Sequence, residues 1–139
     1  DSKCKPKYHA AASIVSNQVV ALFAEAQAML MECGFQPETA MDALKKIFLG
    51  NAQHVAQVGP VKALTGPVQR GDVSTVAKHL SVLEKPKDRL LYLLLSERLM
   101  EVAKKGKADY QEKAMKDLLD NSYSQLLAEE YGRLKGDRN

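Results

Sequence analysis

Apolar residues recur with helical spacing along most of the chain, without the sustained alternation that is typical of strands. From Tyr8 to Cys33 the sequence is apolar on nearly all sides, and its acidic residues are Glu25 and Glu32. This pattern predicts one long helix that is buried on most sides, and Gly34 supplies the left-handed residue that ends it. We therefore predict an all-α fold, a helical bundle around one long buried central helix.

Proline, glycine and capping residues divide the rest of the chain. Pro37 fits the first turn of a second helix that runs through Phe48, and Gly50 is expected to break or bend it before Asn51–Val58 continues. Further helices are predicted over Val73–Leu83, over Pro86–Lys105, from an Asp109–Glu112 capping box to Leu119, and after a cap at Asn121 or Ser122. In the Pro86 helix the expected inward residues are Leu90, Leu91, Leu94, Leu95, Leu99 and Val102. Together these helices predict a single domain over residues 1–139.

The segment Leu64–His79 combines a constrained loop with a helix start. Proline fixes its own φ and disfavours the α region for the residue before it, so Gly66-Pro67 is a stiff, non-helical step. Gly71 can adopt a positive φ without steric cost. Asp72 then occupies the position of an N-cap. The segment is expected to lead directly into a helix N-terminus.

Two interpretations of this helix start follow from the residues. Asp72 is expected to cap the amides of Ser74 and Thr75. In one interpretation the result is a capped turn that only connects two helices. In the other, the free N–H groups and the positive end of the helix dipole bind an anion beside Arg70.

A row of polar residues crosses the otherwise apolar long helix. His9, Ser13 and Asn17 are spaced i, i+4 and i+8, which places them on one helix face. Buried polar groups cost free energy unless they are paired, so the row either lines a ligand cleft or forms a buried hydrogen-bond network. The histidines of the chain are His9, His54 and His79, and their spacing matches no metal-binding motif. We expect no metal site.

Composition narrows the classes of partner. The chain has 139 residues, of which 45% are apolar and 27% charged, a profile typical of a globular protein. Its net charge of +3 and its lack of a basic stripe argue against nucleic acid as a partner.

Cys4 and Cys33 fit neither a disulfide framework nor a zinc site, which favours free thiols in the cytoplasm. The longest dense apolar run, Leu90–Leu95, is too short to span a bilayer, so no membrane partner is expected. No Gly-x-Gly-x-x-Gly pattern occurs, so this chain alone is expected to bind no dinucleotide.

Two groups of motifs carry a family resemblance over roughly Tyr8–Leu83. They are Tyr8-His9-Ala10-Ala11-Ala12 with Ser16-Asn17, and Gly59-Pro60, Ala63-Leu64-Thr65-Gly66-Pro67, Arg70-Gly71-Asp72 and His79-Leu80. The chain resembles the C-terminal helical domain, a domain of unknown function, of a family of Rossmann-type NADP-binding oxidoreductases. The run from Leu64 to Asp72 is the specific part of this resemblance.

The resemblance implies a fold similar to the helical domains of ketopantoate reductase, pyrroline-5-carboxylate reductase and the C-terminal domain of 6-phosphogluconate dehydrogenase. It implies a homodimer, an N-terminal Rossmann domain that binds NADP or NAD in the full-length protein, and a small carbonyl or imine substrate. Asn17 matches the Asn of the Lys-x-x-x-Asn pattern in such enzymes, whereas Ser13 stands at the Lys position and His9 is the alternative proton donor. Thr65, Arg70 and Asp72 are implied to order the loop or contact the substrate.

Two functions remain open at this point. The chain is either the dimerisation and substrate-cleft domain of an NAD(P)-dependent oxidoreductase, inactive on its own, or a free-standing helical module that binds another protein. The apolar residues of Leu90–Leu95 motivate the second hypothesis.

Overall fold

The predicted all-α class is confirmed. A computed structural model describes residues 4–136, with side chains to Arg133, and these residues form helices and no strand. The helices are α1 (Cys4–Ser13), a π-helical segment (Ile14–Gln18), α2 (Val19–Glu32), α3 (Pro37–Val58), α4 (Pro60–Ala63), α5 (Pro67–Arg70), α6 (Val73–Val82), α7 (Pro86–Gly106) and α8 (Glu112–Gly136). The chain divides into two compact units, with the division inside α3 after Gln53. Each unit is described by itself.

In the first unit, one continuous helical stretch covers Cys4–Glu32, as the sequence predicts. Gly34 follows it with φ +91°, the left-handed conformation expected of the residue that ends it. The prediction did not include the π-helical segment Ile14–Gln18. By length and composition alone, Cys4–Glu32 also meets the requirement for a membrane span, with mean hydropathy 1.3, a requirement that core helices and signal sequences meet as well.

The predicted burial of this long helix is wrong for the single chain. None of the residues Cys4–Glu32 is buried, and Val15 and Val20 are 76% and 65% exposed. The sequence pattern is that of a buried helix, but within the first unit the packing of α3 against α2 leaves every residue of Cys4–Glu32 at least partly exposed. The long helix is therefore not the centre of the core.

α2 and α3 contact each other within the first unit. The rings of Phe23 and Phe48 meet edge to face at 5.3 Å between centroids, and Gln27 Nε2 donates a hydrogen bond to the Pro37 carbonyl at 3.0 Å. Helix α3 begins at Pro37 as predicted, but it continues without a break through Gly50. An apolar groove of about 570 Å³ lies between the two helices, here called the α2–α3 groove and lined by Val19, Val20, Phe23, Ala24, Gln27, Met41, Lys45, Phe48 and Leu49.

The hydrophobic core lies in the second unit, where α5 to α8 pack together. Val76 of α6 and Met115 of α8 are completely buried. The same cluster contains Val68, Leu80, Leu93, Met100, Leu119 and Leu126. Burial of this apolar surface is the main stabilising contribution to the unit.

Helix α7 presents a partly different face to this core from the one predicted, although Leu90 packs against the core as expected. Its buried residues are Leu93, Ser96, Met100 and Ala103, whereas Leu94, Leu95 and Leu99 are exposed. The run from Leu90 to Leu95 is nearly all apolar, so it does not reveal which face turns inward. The two predicted C-terminal helices are also wrong, because one uninterrupted helix runs from Glu112 to Gly136.

Candidate functional site

The loop that begins the Leu64–His79 segment has a backbone that only glycine adopts readily. Gly66 has φ +97° and ψ −175°, and Pro67 then occupies the first turn of α5, where its missing N–H costs nothing. The carbonyl of Gly66 accepts the Arg70 N–H at 3.2 Å, so the short helix begins directly at the loop. The predicted stiff, non-helical Gly66-Pro67 step is confirmed.

Helix α5 ends in a Schellman motif. Gly71 is left-handed, at φ +72° and ψ +25°. Its N–H donates to the Val68 carbonyl at 3.1 Å, and the Asp72 N–H donates to the Pro67 carbonyl at 2.8 Å. These bonds satisfy the carbonyls at the end of the helix. The positive φ predicted for Gly71 is therefore confirmed, and the loop is fixed by its own backbone.

Asp72 is the N-cap of α6, as predicted. Its Oδ1 accepts the Thr75 N–H and the Ser74 hydroxyl, each at 3.0 Å, and its Oδ2 accepts the Thr75 hydroxyl at 2.7 Å. The hydrogen bonds from Thr75, followed by that from Ser74, hold the pKa of this carboxyl below its ordinary value. The carboxylate thus occupies the N-terminus of α6, which the anion-binding interpretation of the sequence assigns to an external anion.

We expect Asp72→Ala to lower the melting temperature at pH 7, because the amide of Thr75 loses its cap. The pKa of Asp72 is lower in the folded protein, so its stabilisation is present above the ordinary value of 3.8 and is lost as the pH falls through the folded value. Thermal melts from pH 7 to pH 2 should show the deficit of the variant narrowing toward acid. Asp117→Ala, on exposed α8 surface, is the control. A deficit that stays constant with pH would contradict capping by the charged carboxylate.

Arg70 pairs with the same carboxylate, but weakly. Its Nη2 lies 3.9 Å from Asp72 Oδ2, and its side chain is 60% exposed. Exposed ion pairs of this kind contribute little to stability. Arg70 is thus placed at the loop surface. Its predicted role with Thr65 and Asp72, loop ordering or substrate contact, stays a prediction.

A cleft of about 280 Å³ lies between this loop and α7, and we call it the Thr65–Tyr92 cleft. Its walls consist of apolar side chains and of four side chains that can form hydrogen bonds. The apolar set is Pro67, Val68, Leu95 and Leu99, and the polar set is Thr65, His79, Tyr92 and Ser96. Thr65 and His79, which lie near the two ends of the Leu64–His79 segment, therefore both line this cleft.

Two polar side chains of the cleft, those of His79 and Tyr92, contact each other directly. Tyr92 Oη lies 2.7 Å from His79 Nδ1, and the two rings meet edge to face at 5.7 Å between centroids. Burial raises the pKa of the Tyr92 phenol, and a hydrogen bond from Ser96 opposes that rise. The phenol is therefore protonated at neutral pH and can donate. Ser96, one helical turn after Tyr92, is only 2% exposed.

Tyr92 and Ser96 are not among the functional residues predicted from the sequence. Their signal was present, because they are polar residues at i and i+4 within a leucine-rich helix and so share one face. Tyr110 was missed as well. Its hydroxyl donates to the Val68 carbonyl at 2.7 Å and so ties the loop after α7 to helix α5.

The row of His9, Ser13 and Asn17 lies in the first unit. His9 and Asn17 are exposed and Ser13 is half-buried, so the chain by itself does not bury them as a network. Asn17 lies within the π-helical segment, whose i→i+5 turn changes the regular i, i+4 spacing from Ser13. Such segments are frequent at functional sites. The catalytic role of these three residues stays a prediction.

Within residues 4–136, no three side chains of His, Cys, Asp or Glu are grouped closely enough to hold a metal ion. The thiols of Cys4 and Cys33 are both exposed and free. The polar side chains that line the Thr65–Tyr92 cleft carry hydroxyl groups and one imidazole.

Comparison with known proteins gives one family. The family model of a domain of unknown function, DUF2520, matches residues 1–99, which include all eight residues that line the Thr65–Tyr92 cleft. Neither the curated proteins nor the solved structures gave a match to the chain. The match covers more than half of the 139 residues, and the chain belongs to the DUF2520 family of domains of unknown function.

Proposed function

We propose that this chain is the dimerisation and substrate-cleft domain of an NAD(P)-dependent oxidoreductase, without activity on its own. In this proposal an N-terminal Rossmann domain of the full-length protein binds NADP or NAD. The helical chain completes the site for a small carbonyl or imine substrate. The motifs of the Tyr8–Asn17 and Gly59–Leu80 stretches support the oxidoreductase class through their resemblance to such helical domains.

The observation that carries the proposal is the uncovered apolar surface of the first unit. Among the described residues 4–53, Ala40 alone is buried. Isolated helices are marginal in water, and most helical stability comes from packing of an apolar face. Exposed apolar patches of this kind mark interaction surfaces. A second copy of the chain and the preceding domain are the partners that would cover this surface.

In the same proposal the row of His9, Ser13 and Asn17 contributes to the substrate site. Imidazole can transfer a proton near neutral pH, which suits a carbonyl that receives a hydride. His9 is therefore the proposed proton donor, with Ser13 and Asn17 as hydrogen-bonding neighbours on the helix. Their exposure in the single chain is compatible with a site that another domain or subunit completes.

A second candidate function is a free-standing helical module that binds another protein. Leu94, Leu95 and Leu99 of α7 favour it, since all three are large apolar side chains exposed in the chain. They stand in the second unit and offer an apolar surface that does not depend on the first unit.

Sedimentation equilibrium of the 139-residue chain separates the two functions. The oxidoreductase proposal expects a dimer at micromolar concentration, because the apolar surface of the first unit is then covered. The interaction module expects a monomer that binds an apolar helical peptide. A monomer at every concentration up to the solubility limit would contradict dimerisation by this domain.

A further inference from the structure

A second cleft, of about 300 Å³, lies between α7 and α8, and we call it the α7–α8 cleft. Among its lining residues, Leu94 and Tyr123 are large apolar side chains that are 46% and 38% exposed. The charged lining residues are Glu97, Glu101, Lys104, Glu112, Lys116 and Asp120. The α7–α8 cleft thus combines apolar contact surface with a dense group of charges.

The cleft has a charged end and an apolar end. A short loop joins α7 to α8, so the two packed helices run antiparallel, and Lys104 Nζ lies 2.7 Å from Glu112 Oε2 near that loop. Leu94 precedes Lys104 by ten residues and Tyr123 follows Glu112 by eleven. At about 1.5 Å per residue, both apolar residues lie roughly 15 Å from the ion pair. Leu127, one helical turn after Tyr123 and 56% exposed, extends the apolar end.

Negative charge prevails in the charged end. Its four carboxylates and two ammonium groups give a net charge of −2, whereas the whole chain carries +3. Both lysines already have acidic partners, since Lys104 Nζ also lies 3.6 Å from Glu101 Oε1 and Lys116 Nζ lies 2.6 Å from Asp120 Oδ2. The carboxylates of Glu112 and Asp120 raise the pKa of Lys104 and of Lys116, respectively. The lysines therefore stay charged, and two negative charges remain in excess.

This charge distribution limits the class of partner. An excess of carboxylates repels the phosphates of nucleic acids and of anionic membranes. The cavity volume equals that of roughly ten liquid waters at about 30 Å³ each, enough for projecting side chains but not for a whole helix. An amphipathic helix inserts its large apolar side chains into a groove in this way. Electrostatic complementarity requires the same helix to carry Lys or Arg beside them.

We propose that the α7–α8 cleft docks a basic amphipathic helix of another protein. The apolar side chains of that helix contact Leu94, Tyr123 and Leu127. Its Lys or Arg side chains pair with Glu97 and Asp120, which each lie one helical turn from the apolar end. The proposal rests on the second candidate function, the protein-binding module, and gives its partner a defined chemistry. It rests neither on the oxidoreductase function nor on dimerisation.

The test is fluorescence anisotropy of labelled synthetic peptides mixed with the 139-residue chain. The basic probe is a helical peptide of about 15 residues, with leucines on one face and lysines one turn from them. The control peptide carries glutamate at each lysine position. The basic probe is expected to bind saturably and the acidic one at least about 10-fold more weakly. Raising NaCl from about 0.05 M to about 0.5 M should weaken binding of the basic probe, because salt screens exposed charges.

Two variants locate the binding at the cleft. Leu94→Ala removes an apolar contact and is expected to weaken binding of the basic probe at least about 5-fold. Glu97→Gln removes one exposed charge and is expected to weaken it by about 2- to 5-fold. The matched controls are Leu99→Ala, an exposed leucine of α7 outside this cleft, and Glu38→Gln, an exposed glutamate of the first unit. Both controls should leave the Kd of the basic probe unchanged within about 2-fold.

All four substituted side chains are exposed, so each variant is expected to keep the melting temperature of the wild type. Equal binding of the basic probe by the wild type, Leu94→Ala and Glu97→Gln would overturn the assigned site. Equal binding of the acidic and basic probes would support a protein-binding module but overturn its basic partner.

The oligomeric state separates the remaining outcomes. Absence of saturable binding of the basic probe would overturn the docking site, and a higher dimer Kd in Leu94→Ala would then show that the cleft is a contact between two copies. Binding of the basic probe with the expected losses, in a chain that proves monomeric, would support the docking site and contradict only the proposed dimerisation.

Discussion

Val20→Lys is expected to weaken the proposed dimer of the 139-residue chain. Val20 is 65% exposed in the single chain and lines the α2–α3 groove, so a second copy would bury it. A lysine there would place an unpaired charge against apolar side chains, which we expect to cost at least about 2 kcal/mol, a value typical of interface hot spots. This corresponds to about a 30-fold rise in the dimer Kd, measured by sedimentation equilibrium.

The matched control is Val82→Lys. Val82 is 73% exposed, but it lies at the end of α6 in the second unit, outside the α2–α3 groove. Its substitution should leave the dimer Kd unchanged within about 2-fold, because scattered exposed apolar residues have little energetic effect. Equal dimer constants for the wild type and Val20→Lys would show that the groove is not the dimer interface.

Gly66→Ala is expected to destabilise the second unit by about 1–3 kcal/mol. At φ +97° and ψ −175°, an L-residue with a Cβ is strained, and the following Pro67 restricts the position further. A Cβ built at Gly66 meets no atom within 4 Å, so the cost is one of backbone conformation and not of collision. Urea denaturation followed by circular dichroism measures the loss as a lower unfolding midpoint.

Gly132→Ala is the control within the same unit. Gly132 lies inside α8, and a Cβ there also meets no atom within 4 Å. Alanine is the better helix former, so this substitution should stabilise the protein by up to about 1 kcal/mol. If both variants raised or both lowered the unfolding midpoint, the positive φ of Gly66 would not explain the effect of Gly66→Ala.

Local signals in the sequence predicted several helix ends correctly. Pro37 begins α3, Gly34 follows the long helix in a left-handed conformation, and Asp72 caps α6 through Thr75. Each of these features depends on the φ preference or hydrogen-bonding capacity of a few neighbouring residues. A single sequence contains that information directly.

Features that depend on packing could not be predicted in the same way. The apolar run in α7 fits several faces, and the inward face includes Ser96, a polar residue that hydrophobicity places outside. At Gly50 the cost of glycine in a helix is only about 1 kcal/mol, too small to break α3. The long helix has the sequence of a buried element, but no residue of it is buried in the single chain.

The candidate site likewise contains residues indicated by local sequence signals and residues that depend on packing. Arg70 and Asp72 follow from the helix start after Gly71, and Thr65 follows from the family resemblance. Tyr92 and Ser96 reach the same cleft from α7. Their i, i+4 spacing indicates a shared helix face, but only the tertiary structure shows that this face lines the cleft.

Calorimetric titration of the natural-length polypeptide with NADPH and NADH tests the central claim most directly, with the 139-residue chain as the control. The account predicts saturable binding of one dinucleotide per subunit by the natural-length protein, through a Gly-x-Gly-x-x-Gly domain that precedes this chain. It predicts no binding by the 139-residue chain, whose glycines do not form that pattern. Failure of the natural-length polypeptide to bind either dinucleotide would contradict the proposed oxidoreductase.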